Sequence, residues 1–283
     1  MRIAIGIEYD GTAYNGWQRQ RAGEGVQARI EAALAAVADE AVEVCCAGRT
    51  DTGVHASGQV AHFDTRSERS ERSWLLGANS NLPADIALNW VKPVSDEFHA
   101  RYSATARTYR YVILNQFVRS PLSRHRAWWL HQPLDAKLMH EAAQQLLGSH
   151  DFSAFRAAGC QASTPVRELK AIQVVRHGNW IVLQVTANAF LQHMVRNITG
   201  TLVMIGAGDG RIGTLSSILA GRDRTKAGPA APPHGLTLAH VAYPDGLQIP
   251  SGSGPFDAVP LWPGLLRGPG PLSSITDLDK LPT

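Results

Sequence analysis

A period of two governs the first ten residues and returns along most of the chain. Ile3, Ile5, Ile7 and Tyr9 alternate with Ala4, Gly6 and Glu8 until Asp10-Gly11 breaks the run. Such alternation sets one row of side chains on each face of a strand. Strands are likewise predicted in VEVCC (42–46), QVAHF (59–63), 86–91, ARTYRYVILN (106–115), ELKAIQVVR, NWIVLQVTA and 236–243. His177-Gly178 reads as a hairpin between ELKAIQVVR and NWIVLQVTA. The helical period interrupts this pattern only a few times. Val26, Ile30, Ala33, Leu34 and Val37 predict a helix over 26–38. Others are predicted near 72–78, over 135–147 with a stop at Gly148, over 190–206 and near 211–220. Strands in excess of helices favour helices packed on one face of a mostly antiparallel sheet, an α+β architecture.

Two halves, 1–104 and 105–247, each carry this mixture, and no repeat relates them. Over 248–283 the periodicity stops, and Pro and Gly crowd QIPSGSGPFDAVPLWPGLLRGPGPL, so an extended, flexible tail is expected. With 44% hydrophobic and 18% charged residues, the rest should bury a substantial core. No run approaches the roughly 20 apolar residues that span a bilayer. The first apolar stretch meets Glu8 and Asp10 before it could form a signal-peptide core. A cytoplasmic chain away from membranes is therefore expected. Cys45, Cys46 and Cys160 are too few for a disulfide framework or a zinc site, and the eleven histidines show no metal spacing, so no metal is expected.

The net charge of +3 hides an uneven distribution. Between His99 and Leu134 there is no Asp or Glu, yet Arg101, Arg107, Arg110, Arg119, Arg124 and Arg126 lie there among Tyr102, Tyr109, Tyr111, Phe117, Trp128 and Trp129. Guanidinium forks match phosphates and aromatic rings stack on unpaired bases, which suits a nucleic-acid surface. Solvated arginines, or arginines paired with distant acids, explain the same residues. Arg107, Arg110 and Arg126 are the candidates for RNA-backbone contacts. Arg107, Tyr109 and Tyr111 share one face of their strand, which argues for a polar, ligand-facing surface.

AGRTDTGVHASGQ (47–59) combines glycines, hydroxyls, Arg49 and one carboxylate, Asp51. Three readings fit. Asp51 could satisfy backbone donors of its own turn. The glycines could cradle a phosphate, although the Walker spacing is missing and an acid sits inside the loop. Or Asp51 could be a positioned carboxylate for nucleophilic or acid–base chemistry.

Six separated blocks, in order, carry a resemblance. They are YDGTAYNGWQRQ (9–20), GRTDTGVHASGQVAHF (48–63), ARTYRYVILN (106–115), DFSAFRAAGC (151–160), FLQHMVRNITGTLVMIG (190–206) and GLTLAHVAYP (235–244). Together they resemble the tRNA pseudouridine synthase A family over essentially 1–244. The resemblance implies the pseudouridine synthase fold, two α+β halves whose sheets join around a central cleft. It implies conversion of uridine to pseudouridine in the tRNA anticodon stem-loop, nominally at positions 38 to 40, by a homodimer whose two subunits both touch one tRNA. The rearrangement needs no nicotinamide, nucleotide cofactor or metal. By resemblance Asp51 is the catalytic aspartate, and Tyr109 stacks on the uracil with its hydroxyl available for proton transfer. Arg196 orients Asp51, Arg49 takes the space that a flipped base leaves, and Leu236 walls the pocket. The alternatives are a non-catalytic tRNA-binding or folding module on the same scaffold, and an aspartate-dependent hydrolase.

Overall fold

The alternating N-terminal residues form β1 (Arg2–Tyr9) and bury Ile3, Ile5, Ile7 and Tyr9. Each isoleucine leaving water contributes about 1.5–3 kcal/mol. This computed structural model describes residues 1–19 and 23–250. After β1 come α1 (Val26–Ala38), β2 (Cys45–Cys46), β3 (His55–Asp64), α2 (Glu71–Asn81), β4 (Ile86–Val94) and β5 (Ala106–Asn115). The second part holds β6 (Trp128–Leu130), α3 (Ala136–Ala143), β7 (Gly148–Asp151), β8 (Val166–His177) and β9 (Trp180–Ala187). It ends with α4 (Met194–Met204), α5 (Thr214–Gly221) and β10 (Leu236–Ala242).

The strands make one sheet in the order β4-β1-β3-β10-β5-β9-β8-β7, with β2 on β3 and β6 on β5. Pairing is antiparallel except for β10 on β3 and β6 on β5. The fold is thus α+β, as the periodicity implies. β10 decides where the site can form. It comes last in the sheet-forming chain, yet inserts between β3 and β5. Its residues Thr237 and Leu238 pair with His55 and Ala56 of β3, while Leu236 and Leu238 pair with Tyr111 and Tyr109 of β5. The loop before β3, the start of β10 and the middle of β5 are thereby brought side by side.

Several boundaries differ from the sequence expectation. α4 starts at Met194 because His193 holds a left-handed backbone (φ +62°), which no α-helix continues through. The helix expected over 135–147 is α-helical only to Ala143, then tightens into a 3-10 turn, Gln144–Leu146. VEVCC shrinks to the two residues of β2, and β3 begins at His55, ahead of QVAHF. β6 and β7 were not expected. Of the proposed tail, residues 251–283 lie outside the described residues, as does Gln20 of the first matching block. Among the described residues, no helix is long and apolar enough to cross a membrane.

Candidate active site

Asp51 opens a tight turn that Val54 N–H closes on its carbonyl at 3.1 Å. Gly53, at φ +75°, takes the turn position where a side chain would be strained. The first block of matching residues supports this turn from below. Trp17 N–H donates to the Thr50 carbonyl at 3.0 Å, and Gly53 N–H donates to the Tyr14 carbonyl. The hydroxyls of Tyr9 and Thr50 bond at 2.8 Å in the core. His55, buried at the start of β3, accepts from Gly11 N–H through Nδ1 and donates through Nε2 to the His125 and His234 carbonyls. Residues 9–17 thus form the seat of the Asp51 loop. Their spacing along the sequence gave no sign of this role.

The carboxylate itself is left out of that scaffolding. Among the described residues, no backbone N–H donates to the Asp51 carboxylate, unlike that of Asp10, which accepts from Thr12 N–H in an ordinary local turn. The Oδ2 atom of Asp51 instead meets two side chains from the far half of the chain. His193 Nε2 lies 3.5 Å away and Arg196 NH1 lies 3.9 Å away. Arg196 is held from behind. Its Nε donates to the Ala231 carbonyl at 2.7 Å, while its own carbonyl accepts from Ala231 N–H. Gly200 lets this segment approach, because a Cβ there would stand 1.7 Å from the Pro229 carbonyl oxygen.

Tyr109 is buried, with its ring edge-on to Phe190 at 5.0 Å. Burial first, and the Asp51 charge second, push its pKa far above the ordinary phenol range. Among the described residues its hydroxyl makes no hydrogen bond. Leu236 is buried at the first position of β10, beside Tyr111. Arg49 is exposed, and among the described residues it makes no ion pair. The structure therefore brings Arg196 to Asp51, sets Tyr109 within reach of the Asp51 charge, and leaves Arg49 exposed. His193 was missed. Its only sequence signal is a polar residue off the apolar stripe of the helix expected over 190–206.

The RNA-backbone candidates separate. Arg107 is a correction: its guanidinium is buried and donates to the carbonyls of Ala47, Arg101, Ala104 and Asn188. Four carbonyl dipoles compensate the buried charge, so its donors are spoken for. The polar, ligand-facing surface expected of this strand face is corrected with it for Arg107 and Tyr111. Tyr111 is fully buried and donates to the Pro232 carbonyl. Arg110 lies between those residues, so it points to the opposite face of the sheet, where its Nε donates to Gln184. Arg126 pairs with Asp10 at 2.9 Å. What faces outward is the loop before β6, with Arg119, Arg124, Phe117 and Leu122 exposed.

Cys45, His62 and His99 come together within 4.8 Å, a grouping that could suggest a metal. The hydrogen bonds oppose it. Nδ1 of His62 accepts from Ala100 N–H, and Nδ1 of His99 accepts from Arg101 and Tyr102 N–H. Those amides take the Nδ1 lone pairs and leave hydrogen on each Nε2, so neither ring has a free lone pair for a metal.

Fold and site together give an α+β protein in which the Asp51 carboxylate is left unclaimed by its own loop and meets His193 and Arg196 instead. A family profile described as tRNA pseudouridine synthase matches residues 5–103 and 142–244. The chain is 52% identical over 250 residues to a protein named tRNA pseudouridine synthase A from Shewanella amazonensis, covering 88% of this chain and 96% of that one. It is 53% identical to a protein of the same name from Pseudoalteromonas atlantica, covering 88% and 95%. A further one, from Hydrogenovibrio crunogenus, is 52% identical over 248 residues, covering 88% and 95%. The chain belongs to the tRNA pseudouridine synthase family, whose members are isomerases.

Proposed function

We propose that this protein isomerises uridine to pseudouridine in the anticodon stem-loop of tRNA, at positions 38 to 40, with Asp51 as the catalytic carboxylate. The observation that carries the reading is the free carboxylate of Asp51, flanked on Oδ2 by groups from another part of the chain. A carboxylate tied into its own turn would be structural. This one is available to a nucleotide.

The chemistry conserves every atom. The N1–C1′ bond breaks, the uracil turns, C5 bonds to C1′, and the proton on C5 leaves while N1 gains one. A target base must leave the stack to reach the carboxylate. The ring of Tyr109 offers it a face, and Leu236 closes the apolar wall. Arg49, exposed beside the loop, fills the place the base has left. Arg196 supplies positive charge behind Asp51 and keeps the carboxylate oriented. Tyr109 stays a phenol, so its hydroxyl handles the C5 proton only by passing on its own as it accepts one. The protein works in the cytoplasm as a homodimer, with both copies touching one tRNA, and needs no cofactor.

Isomerisation leaves the mass unchanged, so the test follows the C5 proton. Transcripts carrying tritium at C5 of uridine should release it to water in buffer with chelator and no nucleotide. Release confined to positions 38 to 40 supports the reading. Intact tritium with tRNA still bound would leave a binding module.

A further inference from the structure

Among the described residues, four non-glycine residues have positive φ: Asp39, His193, Arg222 and Gln248. Asp39, Arg222 and Gln248 each end a helical segment, where left-handed backbone is an ordinary finish. His193 instead begins one, at φ +62° and ψ 2°. Residues at that place normally have an extended backbone and a side chain that caps the first turn. His193 has neither, since its side chain makes no capping bond. Backbone of this kind is strained for a residue with a side chain and persists where the surroundings enforce it, often at functional sites.

What the conformation accomplishes is aim. It sets Nε2 of His193 3.5 Å from Oδ2 of Asp51, nearer than the Arg196 guanidinium. The imidazole is one-third exposed, so it borders open space rather than filling the core. We propose that His193 is a positioning residue of the active site, holding Oδ2 of Asp51 through its Nε2–H so that Oδ1 is presented to the nucleotide. This rests on the reading of Asp51 as the catalytic carboxylate.

The division of labour with Arg196 follows from charge. The ionisable groups facing the imidazole are Asp51 from the loop before β3, Arg196 on α4, and Arg224 after α5. Burial lowers its pKa most, the Asp51 charge raises it, and the two guanidiniums lower it again. The ring is therefore neutral near pH 7. A neutral donor steers one carboxylate oxygen without cancelling its charge, while Arg196 supplies the lasting positive charge.

Two measurements on the full chain test this. The first is the histidine titration followed by nitrogen NMR, with the His193 signal assigned by its loss in His193→Gly. Asp51→Asn should lower the His193 midpoint by about half a unit or more, because an opposite charge beside it is gone. An unmoved midpoint would overturn the contact, whatever Asp51 does in catalysis. The second is single-turnover isomerisation. His193→Gly relieves the left-handed backbone, so it should fold at least as well as the parent. It should react about 10- to 100-fold more slowly, with tRNA affinity within about twofold. His193→Gln returns an N–H at similar reach and should recover most of that rate. A Gly variant at the parental rate would overturn the proposal, as would Gly and Gln variants that are equally slow. A loss of tRNA affinity in place of rate would make the residue an RNA contact and overturn it too. An active Asp51→Ala variant would remove the reading beneath it, and that failure is recognisable because the NMR shift would remain.

Discussion

Arg196 approaches Asp51 to 3.9 Å while its Nε is committed to the Ala231 carbonyl. The guanidinium is thus fixed by backbone from its own half of the chain and leans on the carboxylate without a tight two-pronged bond. A close bidentate pair would fill both oxygens of Asp51 and stabilise the resting site. The looser arrangement keeps the charge compensated and one oxygen free. The carboxylate is partly exposed, at 28%, so solvent screens that pair.

Tyr109 separates into a ring and a hydroxyl by substitution. The ring packs on Phe190, so Tyr109→Phe should keep the pocket and tRNA affinity. Its single-turnover rate should fall about 100-fold, because the proposed relay of the C5 proton through the hydroxyl is lost. Tyr109→Leu should lose a further 1–3 kcal/mol, roughly, in base stacking. A Phe variant at the parental rate would take the hydroxyl out of the chemistry.

The arginines of the acid-free stretch should divide by what they touch. Arg107→Ala strands four carbonyls, at about 1–3 kcal/mol for each group left buried without a partner. Urea unfolding should show a loss of about 3 kcal/mol or more. Arg119→Ala and Arg124→Ala should leave stability within about 0.5 kcal/mol. They should instead weaken tRNA binding and flatten its salt dependence, each by about 0.7–0.9 in the log–log slope if it meets a phosphate. Arg110→Ala, on the other face of the sheet, should leave the slope alone. Equal slopes for all three exposed and reverse-face variants would move the RNA surface elsewhere.

His62 predicts an acid-sensitive fold. Burial, and then the neighbouring His99, lower its pKa from an ordinary 6.5 to about 4. Between those values the unfolded chain binds the proton and the folded one does not, so stability falls as pH drops from 6.5 towards 4 and levels off below. The loss attributable to this group is at most about 3 kcal/mol. His62→Gln keeps an acceptor for Ala100 N–H and cannot protonate, so its melting temperature should fall less over the same range. Identical slopes in parent and variant would assign the acid sensitivity to other groups.

The parts of this fold that were legible are those with enough residues to show a period. β1 and α1 emerge because Ile3, Ile5 and Ile7, or Ile30 and Leu34, repeat at a spacing that only one structure satisfies. β6 has three residues, too few for any period, and β7 reads GSHD, whose polar residues suit an edge strand as well as a loop. The start of α4 was lost because Phe190 and Leu191 extend its apolar stripe, whereas the left-handed φ of His193 leaves no mark in composition. Arg107 was misjudged for a related reason. A guanidinium bonded to four carbonyls has no acidic partner, so it looks like a solvated or phosphate-binding arginine. At the site, Asp51 stood out through its loop. That its carboxylate is untouched by that loop depends on residues 9–17 holding the turn by backbone bonds, which no side-chain pattern records.

Asp51 carries the proposed chemistry, and Asp51→Asn tests it most directly. The amide keeps the shape and its neighbours and removes only the charge. In single-turnover reactions on tRNA labelled at C5 of uridine, release of tritium should fall by about 10⁴-fold or to background. The affinity for tRNA and the melting temperature should stay close to those of the parent. Tritium release at near the parental rate would show that the carboxylate is not the catalytic group.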